Sequence, residues 1–159
     1  MYGYCENRID AQTSHIEHLH PQSRYPQKQL DYSNLLASCE AGGKKAHCGH
    51  KKDRRLLPIT PLDPIEPSQH FIFAADGHIY PRPENNNAAD TTIKVLGLDA
   101  KRLVTMRSTA ISTIIALLIN SPEERQQTLD AVSPSSDKLY EFYSAIRYQI
   151  DQLTTLPAQ

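Results

Sequence analysis

Three short stretches of this 159-residue chain carry side chains that could do chemistry together: Ile16-Glu17-His18-Leu19-His20-Pro21, Asp31 through Asn34-Leu35 to Cys39, and His47-Cys48-Gly49-His50-Lys51-Lys52. Phosphodiester hydrolysis at neutral pH needs a base for water, a cation to neutralise the phosphate and the leaving oxygen, and a dry pocket. An adjacent Glu-His pair can meet the first two needs. Imidazole, with an unperturbed pKa of about 6.5, suits the base. The hard carboxylate oxygens of Glu17 suit Mg²⁺ or Mn²⁺. On a regular strand neighbouring side chains point to opposite faces, so a break or bulge near Pro21 must re-aim one of the pair if both serve one site.

All three cysteines (Cys5, Cys39, Cys48) and five of the seven histidines (His15, His18, His20, His47, His50) lie in the first 50 residues. The opening Met1-Tyr2-Gly3-Tyr4-Cys5 has no basic region followed by an apolar stretch, which makes the cytoplasm the expected compartment. In that reducing setting three cysteines point to metal binding or plain burial rather than to disulfides. Either His47 or a nearby histidine joins Cys5, Cys39 and Cys48 in a structural Zn²⁺ site, or the thiols pack as small buried hydrophobes. The formal net charge of −1 gives no global pull toward nucleic acid. Lys44, Lys45, Lys51, Lys52, Arg54 and Arg55 nevertheless crowd together and could grip phosphates, though the same run also describes a solvated loop.

The elements that must position these groups follow from pattern. Four prolines between Leu57 and Pro67 mark an extended connector. Phe71 to Ala74 and His78 to Tyr80 flank Asp76-Gly77 and read as a β-hairpin. Pro81 to Asp90, with consecutive asparagines, reads as a surface loop. Asp99 is the expected cap of a helix to about Ile119, with Leu103, Met106, Ala110, Ile114, Leu117 and Leu118 on its apolar side. Ser121-Pro122-Glu123-Glu124 starts another helix, and Ser133 to Ser136 interrupts it. A last helix from Asp137 to Leu153 carries Leu139, Tyr143, Ile146, Ile150 and Leu153, with Phe142 at the border. These helices either complete the core or dock on a partner. No apolar run reaches the roughly 18–20 residues of a membrane span.

The order of the chemical blocks resembles the HNH endonuclease superfamily, in which a β-strand carrying an acid or histidine beside a base histidine precedes an Asn-Leu-x-x-x-Cys stretch and a ligand-bearing helix. The resemblance implies an α+β fold: a ββα-metal nuclease module over residues 1–57, a Pro-rich connector and hairpin over 58–98, and a helical region over 99–159. It implies His18 as general base, Glu17 as metal ligand and Asn34 as the brace that holds the loop and orients His18. The superfamily has His or Asn just after the residue matching Cys48, but here that position is Gly49. His50 is therefore the expected third site residue and metal ligand, with His47 as fallback. His15 and His20 are read as bystanders.

A finer resemblance is to PtuB-like nucleases of Septu and retron anti-phage systems. It rests on Tyr4-Cys5-Glu6, Glu17-His18, Asn34-Leu35, Cys39, Cys48 to Lys52, Leu62-Asp63-Pro64, Phe71 with Asp76-Gly77, Thr91-Thr92-Ile93 and Leu98 to Arg107. It implies a nucleic-acid target, a PtuA-like ATPase partner and, in retrons, a reverse transcriptase with its small DNA. Proteins of that kind begin well before the Tyr-Cys-Glu block, and Tyr2 stands where they have the first cysteine of a Cys-x-x-Cys pair. The rival reading is a non-catalytic, zinc-stabilised module that binds nucleic acid or protein. It accounts for the Cys/His cluster and the lysines, but not for the adjacency of Glu17 and His18.

Overall fold

The computed structural model describes residues 3–43, 46–133 and 139–155. Tyr2, Lys44, Lys45 and the expected helix start at Asp137 lie outside the described residues. The fold is mixed α+β, with two small antiparallel sheets and five α-helices among the described residues.

Strand β1 (Ser14–His18) pairs antiparallel with β2 (Leu35–Cys39), placing His15 opposite Ser38, Glu17 opposite Leu36 and His18 opposite Leu35. Strand alternation puts His15, Glu17, Leu36 and Ser38 on one face. Leu36 and Ser38 are buried there, while Ile16 on the opposite face is 71% exposed. The short helix α1 (Cys48–Lys52) packs on β2. Its first turn has no side-chain cap from His47; the Gly49 amide instead donates to Ser38 Oγ at 3.0 Å.

The expected hairpin forms as β3 (Phe71–Phe73) and β4 (Ile79–Pro81). At its turn Gly77 takes φ +90° and lies against the Val104 carbonyl, where any Cβ would collide, so this position accepts only glycine. Helix α2 (Asn87–Leu96) corrects the expected surface loop. The middle asparagine, Asn86, accepts from the Ala89 amide at 3.1 Å as an N-cap, so the run that reads as loop is a helix start. Gly97, with φ +63°, ends that helix.

Helix α3 (Lys101–Leu118) follows, but Asp99 does not cap it. The Asp99 carboxylate accepts instead from His78 Nδ1 at 2.8 Å, tying the hairpin to the helix start. Of the expected apolar side of α3, Leu103 and Ile114 are buried and Met106, Ala110 and Leu118 pack on the core, whereas Leu117 is exposed; Arg107 and Ile111 join the buried stripe. Arg107 can be buried because its guanidinium donates to the carbonyls of Gly77 and Leu98, the latter at 2.9 Å. Helix α4 (Pro122–Ala131) begins as expected, with Ser121 Oγ accepting from the Glu124 amide. Helix α5 (Tyr143–Thr155) buries Ile146 and Ile150, whereas Leu139 and Leu153 are exposed.

One apolar core joins Cys5, Cys39 and Cys48 to Ile59, Phe71, Phe73, Ile93, Leu103, Ile114, Ile146 and Ile150, so the later helices complete the core. The N-terminal segment is tied to the start of α5: the Phe142 amide donates to the Glu6 carbonyl at 3.0 Å and the Ser144 amide to Glu6 Oε2 at 2.8 Å. Among the described residues no helix is long and apolar enough to cross a membrane.

Candidate active site and metal centres

Glu17 and His18 line a single cleft of about 350 Å³ at the end of β1, with Pro21 and Gln22 from the following turn and Gly49, His50 and Arg54 from α1 and its exit. The alternation of a regular strand does not separate the pair, because His18 is the last residue of β1 and the chain turns at Pro21. Glu17 is held from behind. Lys52 Nζ, wholly buried, donates to Glu17 Oε1 at 2.7 Å and to the His18 carbonyl at 2.8 Å. One carboxylate oxygen is thereby anchored, and the other, Oε2, lies toward Gly49 and His15.

The His18 ring is oriented by the backbone. Its Nε2 lies 3.0 Å from the Gln29 carbonyl, and a carbonyl can only accept, so Nε2 carries the proton and Nδ1 keeps its lone pair. The Gln22 side-chain nitrogen lies 3.0 Å from Nε2 and 3.3 Å from Nδ1, and with the proton on Nε2 only Nδ1 can accept from it. Asn34, 2% exposed, fixes this arrangement at one remove. Its Oδ1 accepts from the His20 amide at 2.7 Å, and its Nδ2 donates to the carbonyls of His20 and Lys28, each at 3.1 Å. It therefore clamps the segment leaving His18 to the segment that presents the Gln29 carbonyl.

His50 lines the cleft, but its Nε2 is engaged with Glu40 Oε1 at 2.6 Å. His15 also lines the cleft, its ring centroid 4.4 Å from that of His50. His15, Glu40 and His50 together could hold an ion. His15 and Glu40 had no role in the expectations, although stepping back two residues from Glu17 along a strand does place His15 on the same face.

His47, the fallback ligand for the cleft, is not there. It is 4% exposed and lies among the thiols, its Nδ1 3.2 Å from Cys48 Sγ and 3.4 Å from Cys39 Sγ, while Cys5 Sγ is 3.8 Å from Cys39 Sγ. The four donor atoms all lie within 4.8 Å of one another. Ligands at about 2.1–2.3 Å around a tetrahedral ion sit roughly 3.4–3.8 Å apart, so the Cys₃His set has the spacing and chemistry of a structural zinc site. Hydrogen bonds from Cys39 and then Cys48 hold the Cys5 thiol low, while hydrogen bonding to Cys39 and Cys5, with burial, pushes the Cys48 thiol up. Cys48 also adopts φ +56°, a conformation that costs a non-glycine residue about 1–3 kcal/mol and marks a site the surroundings over-determine.

The expected phosphate-gripping lysines divide. Lys44 and Lys45 lie outside the described residues, and Lys51 is exposed with its stem against Gly97. Lys52 corrects the expectation: its charge is spent inside the fold on Glu17, so it offers nothing to a phosphate. Among the described residues, Arg54 is an exposed cation that lines the cleft.

No family model matches the chain. Over 145 residues it is 30% identical to the candidate HNH endonuclease of retron Vc95 from Vibrio cholerae serotype O1 biovar El Tor, covering 86% of this chain and 70% of that protein. This chain belongs to the HNH endonuclease family of retron and Septu defence systems. The Septu protein PtuB of Bacillus thuringiensis is 34% identical over 71 residues, 43% of this chain and 26% of that protein. Within this HNH family member, the strand pair, the Asn34 brace and the α1 helix converge on the Glu17-His18 cleft, and the Cys₃His cluster is separate from the cleft lining.

Proposed function

We propose that this protein is a metal-dependent HNH endonuclease built on a ββα-metal module, hydrolysing phosphodiester bonds of nucleic acid as the effector subunit of an anti-phage complex with a PtuA-like ATPase. The observation that carries the reading is the His18 ring, held at Nε2 by the Gln29 carbonyl so that Nδ1 is basic, in the same cleft as a Glu17 carboxylate anchored through one oxygen only.

Glu17 Oε2 and a neighbouring imidazole of the cleft would hold a divalent ion, Mg²⁺ or Mn²⁺; the oxygen-and-nitrogen donor set suits such a metal. When bound, it supplies charge neutralisation for the phosphate and the leaving oxygen. His18 Nδ1 accepts a proton from the attacking water, and the Gln29 carbonyl stabilises the imidazolium through its Nε2 proton. Lys52 keeps the Glu17 carboxylate from swinging away, and Asn34 keeps the Gln29 carbonyl in place. Arg54 receives the phosphate backbone at the rim. The Cys₃His cluster would hold a structural Zn²⁺ that fixes the approach of α1 to β2. The related Vibrio cholerae protein is named for a retron, and in such a setting a reverse transcriptase and its small DNA would join the assembly.

The test is cleavage of DNA and RNA substrates by the purified protein, alone and with its ATPase, in Mg²⁺ or Mn²⁺. His18→Ala is expected to lower the rate by about 10²–10⁴, the usual size of general base catalysis, while metal binding persists. Nucleic-acid binding with no cleavage by the wild-type complex would favour a zinc-stabilised binding module instead.

A further inference from the structure

We infer that His15 is the imidazole ligand of the metal held by Glu17, with Glu40 and His50 as its outer support. The inference rests on the endonuclease reading above and names the residue that completes its metal site. His15 and Glu17 share a face of β1 two residues apart, and His15 Nε2 lies 3.7 Å from Glu17 Oε2. Two donors on one ion with bonds of about 2.1 Å lie roughly 3.0–3.4 Å apart, so a shift of a few tenths of an ångström suffices.

The sequence makes room for this. A Cβ at position 49 would sit 2.7 Å from both His15 Nε2 and Glu17 Oε2, so a side chain on α1 and the His15 imidazole compete for one volume. Glycine at 49 leaves that volume to His15. The other ring nitrogen, Nδ1, is buried without a hydrogen-bond partner and lies 3.2 Å from Glu40 Oε2, in ion-pair range but off the hydrogen-bonding line. Glu40 is half exposed and can turn onto it. A carboxylate on the far nitrogen of a ligating histidine is the usual support of a metal-bound imidazole.

His50 takes the other part. Its Nε2 is committed to Glu40 Oε1 at 2.6 Å, and the Nδ1 side of its ring lies along Gly42. His50 therefore positions Glu40, which positions His15.

The experiment titrates Mn²⁺ into the full chain and reads affinity together with imidazole-nitrogen coupling by pulsed electron paramagnetic resonance. Expected are nitrogen coupling in the wild type, its loss in His15→Phe with Mn²⁺ bound at least tenfold more weakly, and its retention in His50→Phe. His15→Asn carries the same expectation should the larger ring lower the melting temperature. Nitrogen coupling and wild-type affinity retained in the His15 variants, or coupling lost in His50→Phe instead, would overturn the inference and leave the endonuclease reading standing. Undiminished Mn²⁺ affinity in Glu17→Ala would sink both, because the metal would then lie elsewhere.

Discussion

Lys52 Nζ sits 2.7 Å from Glu17 Oε1 with none of the Lys52 side chain exposed, so the acid of the cleft is fastened to α1 from inside the fold. Removing one partner of a buried pair leaves the other charge uncompensated, which typically costs about 3–5 kcal/mol. Lys52→Met is therefore expected to lower unfolding free energy by that order in urea titrations. Glu17→Gln combined with Lys52→Met should recover part of the loss. A Lys52→Met protein as stable as the wild type would show that the pair carries no structural weight.

Asn34 makes three hydrogen bonds to backbone groups from a buried position. Asn34→Ala leaves those groups unsatisfied, at about 1–3 kcal/mol for each one that stays dry. Cleavage should fall further than stability accounts for, since the Gln29 carbonyl is no longer held on His18. Single-turnover rates at a temperature where the variant remains folded separate the two effects.

The Cys₃His cluster leads to an expected content of one zinc per chain by elemental analysis. Stripping the ion with a strong chelator, or His47→Ala, should lower the melting temperature, because a structural zinc contributes to folding directly. His47→Cys should retain the metal. A chain purified without zinc, and indifferent to chelators, would mark the thiols as ordinary core residues.

Burial raises the Glu6 carboxyl above its ordinary value of 4.5, against the Ser144 hydrogen bonds that act to lower it. A carboxyl that is easier to protonate folded than unfolded makes the native state hold more protons between the two values. Stability should therefore rise as pH falls through that window, and the cost of the buried charge should be fully present above it. Glu6→Gln is expected to flatten this slope relative to the wild type in urea midpoints measured from pH 7 to pH 4.5. Parallel profiles for the two proteins would rule the effect out.

Arg54 on the wall of the cleft should contribute to nucleic-acid affinity through counterion release. Arg54→Ala is expected to weaken binding of all sequences about equally and to reduce the salt dependence of log Kd by about one unit. Lys52→Met should leave that salt slope unchanged.

Much of this was readable from local pattern. Turn and cap chemistry marked the β3–β4 hairpin and the start of α4, and the order of Glu17-His18 and Asn34 carried the family resemblance on which the proposed base, acid and brace rest. Such features depend on residues close in the chain, where spacing and side-chain chemistry leave few alternatives. Local pattern misled where the answer lay in another segment. Asn86 reads as loop until Gly97 closes the helix it caps, and Asp99 reads as a cap until His78 claims its carboxylate. Lys52 and Lys51 are indistinguishable as letters, yet one is buried on Glu17 and the other exposed. The same holds for the histidines: folding sent His47 to the thiols, His50 to Glu40 and His15 to Glu17. Which partner each polar group meets is set by long-range burial, because a charge or imidazole shut away from water must be satisfied by whatever the fold brings beside it.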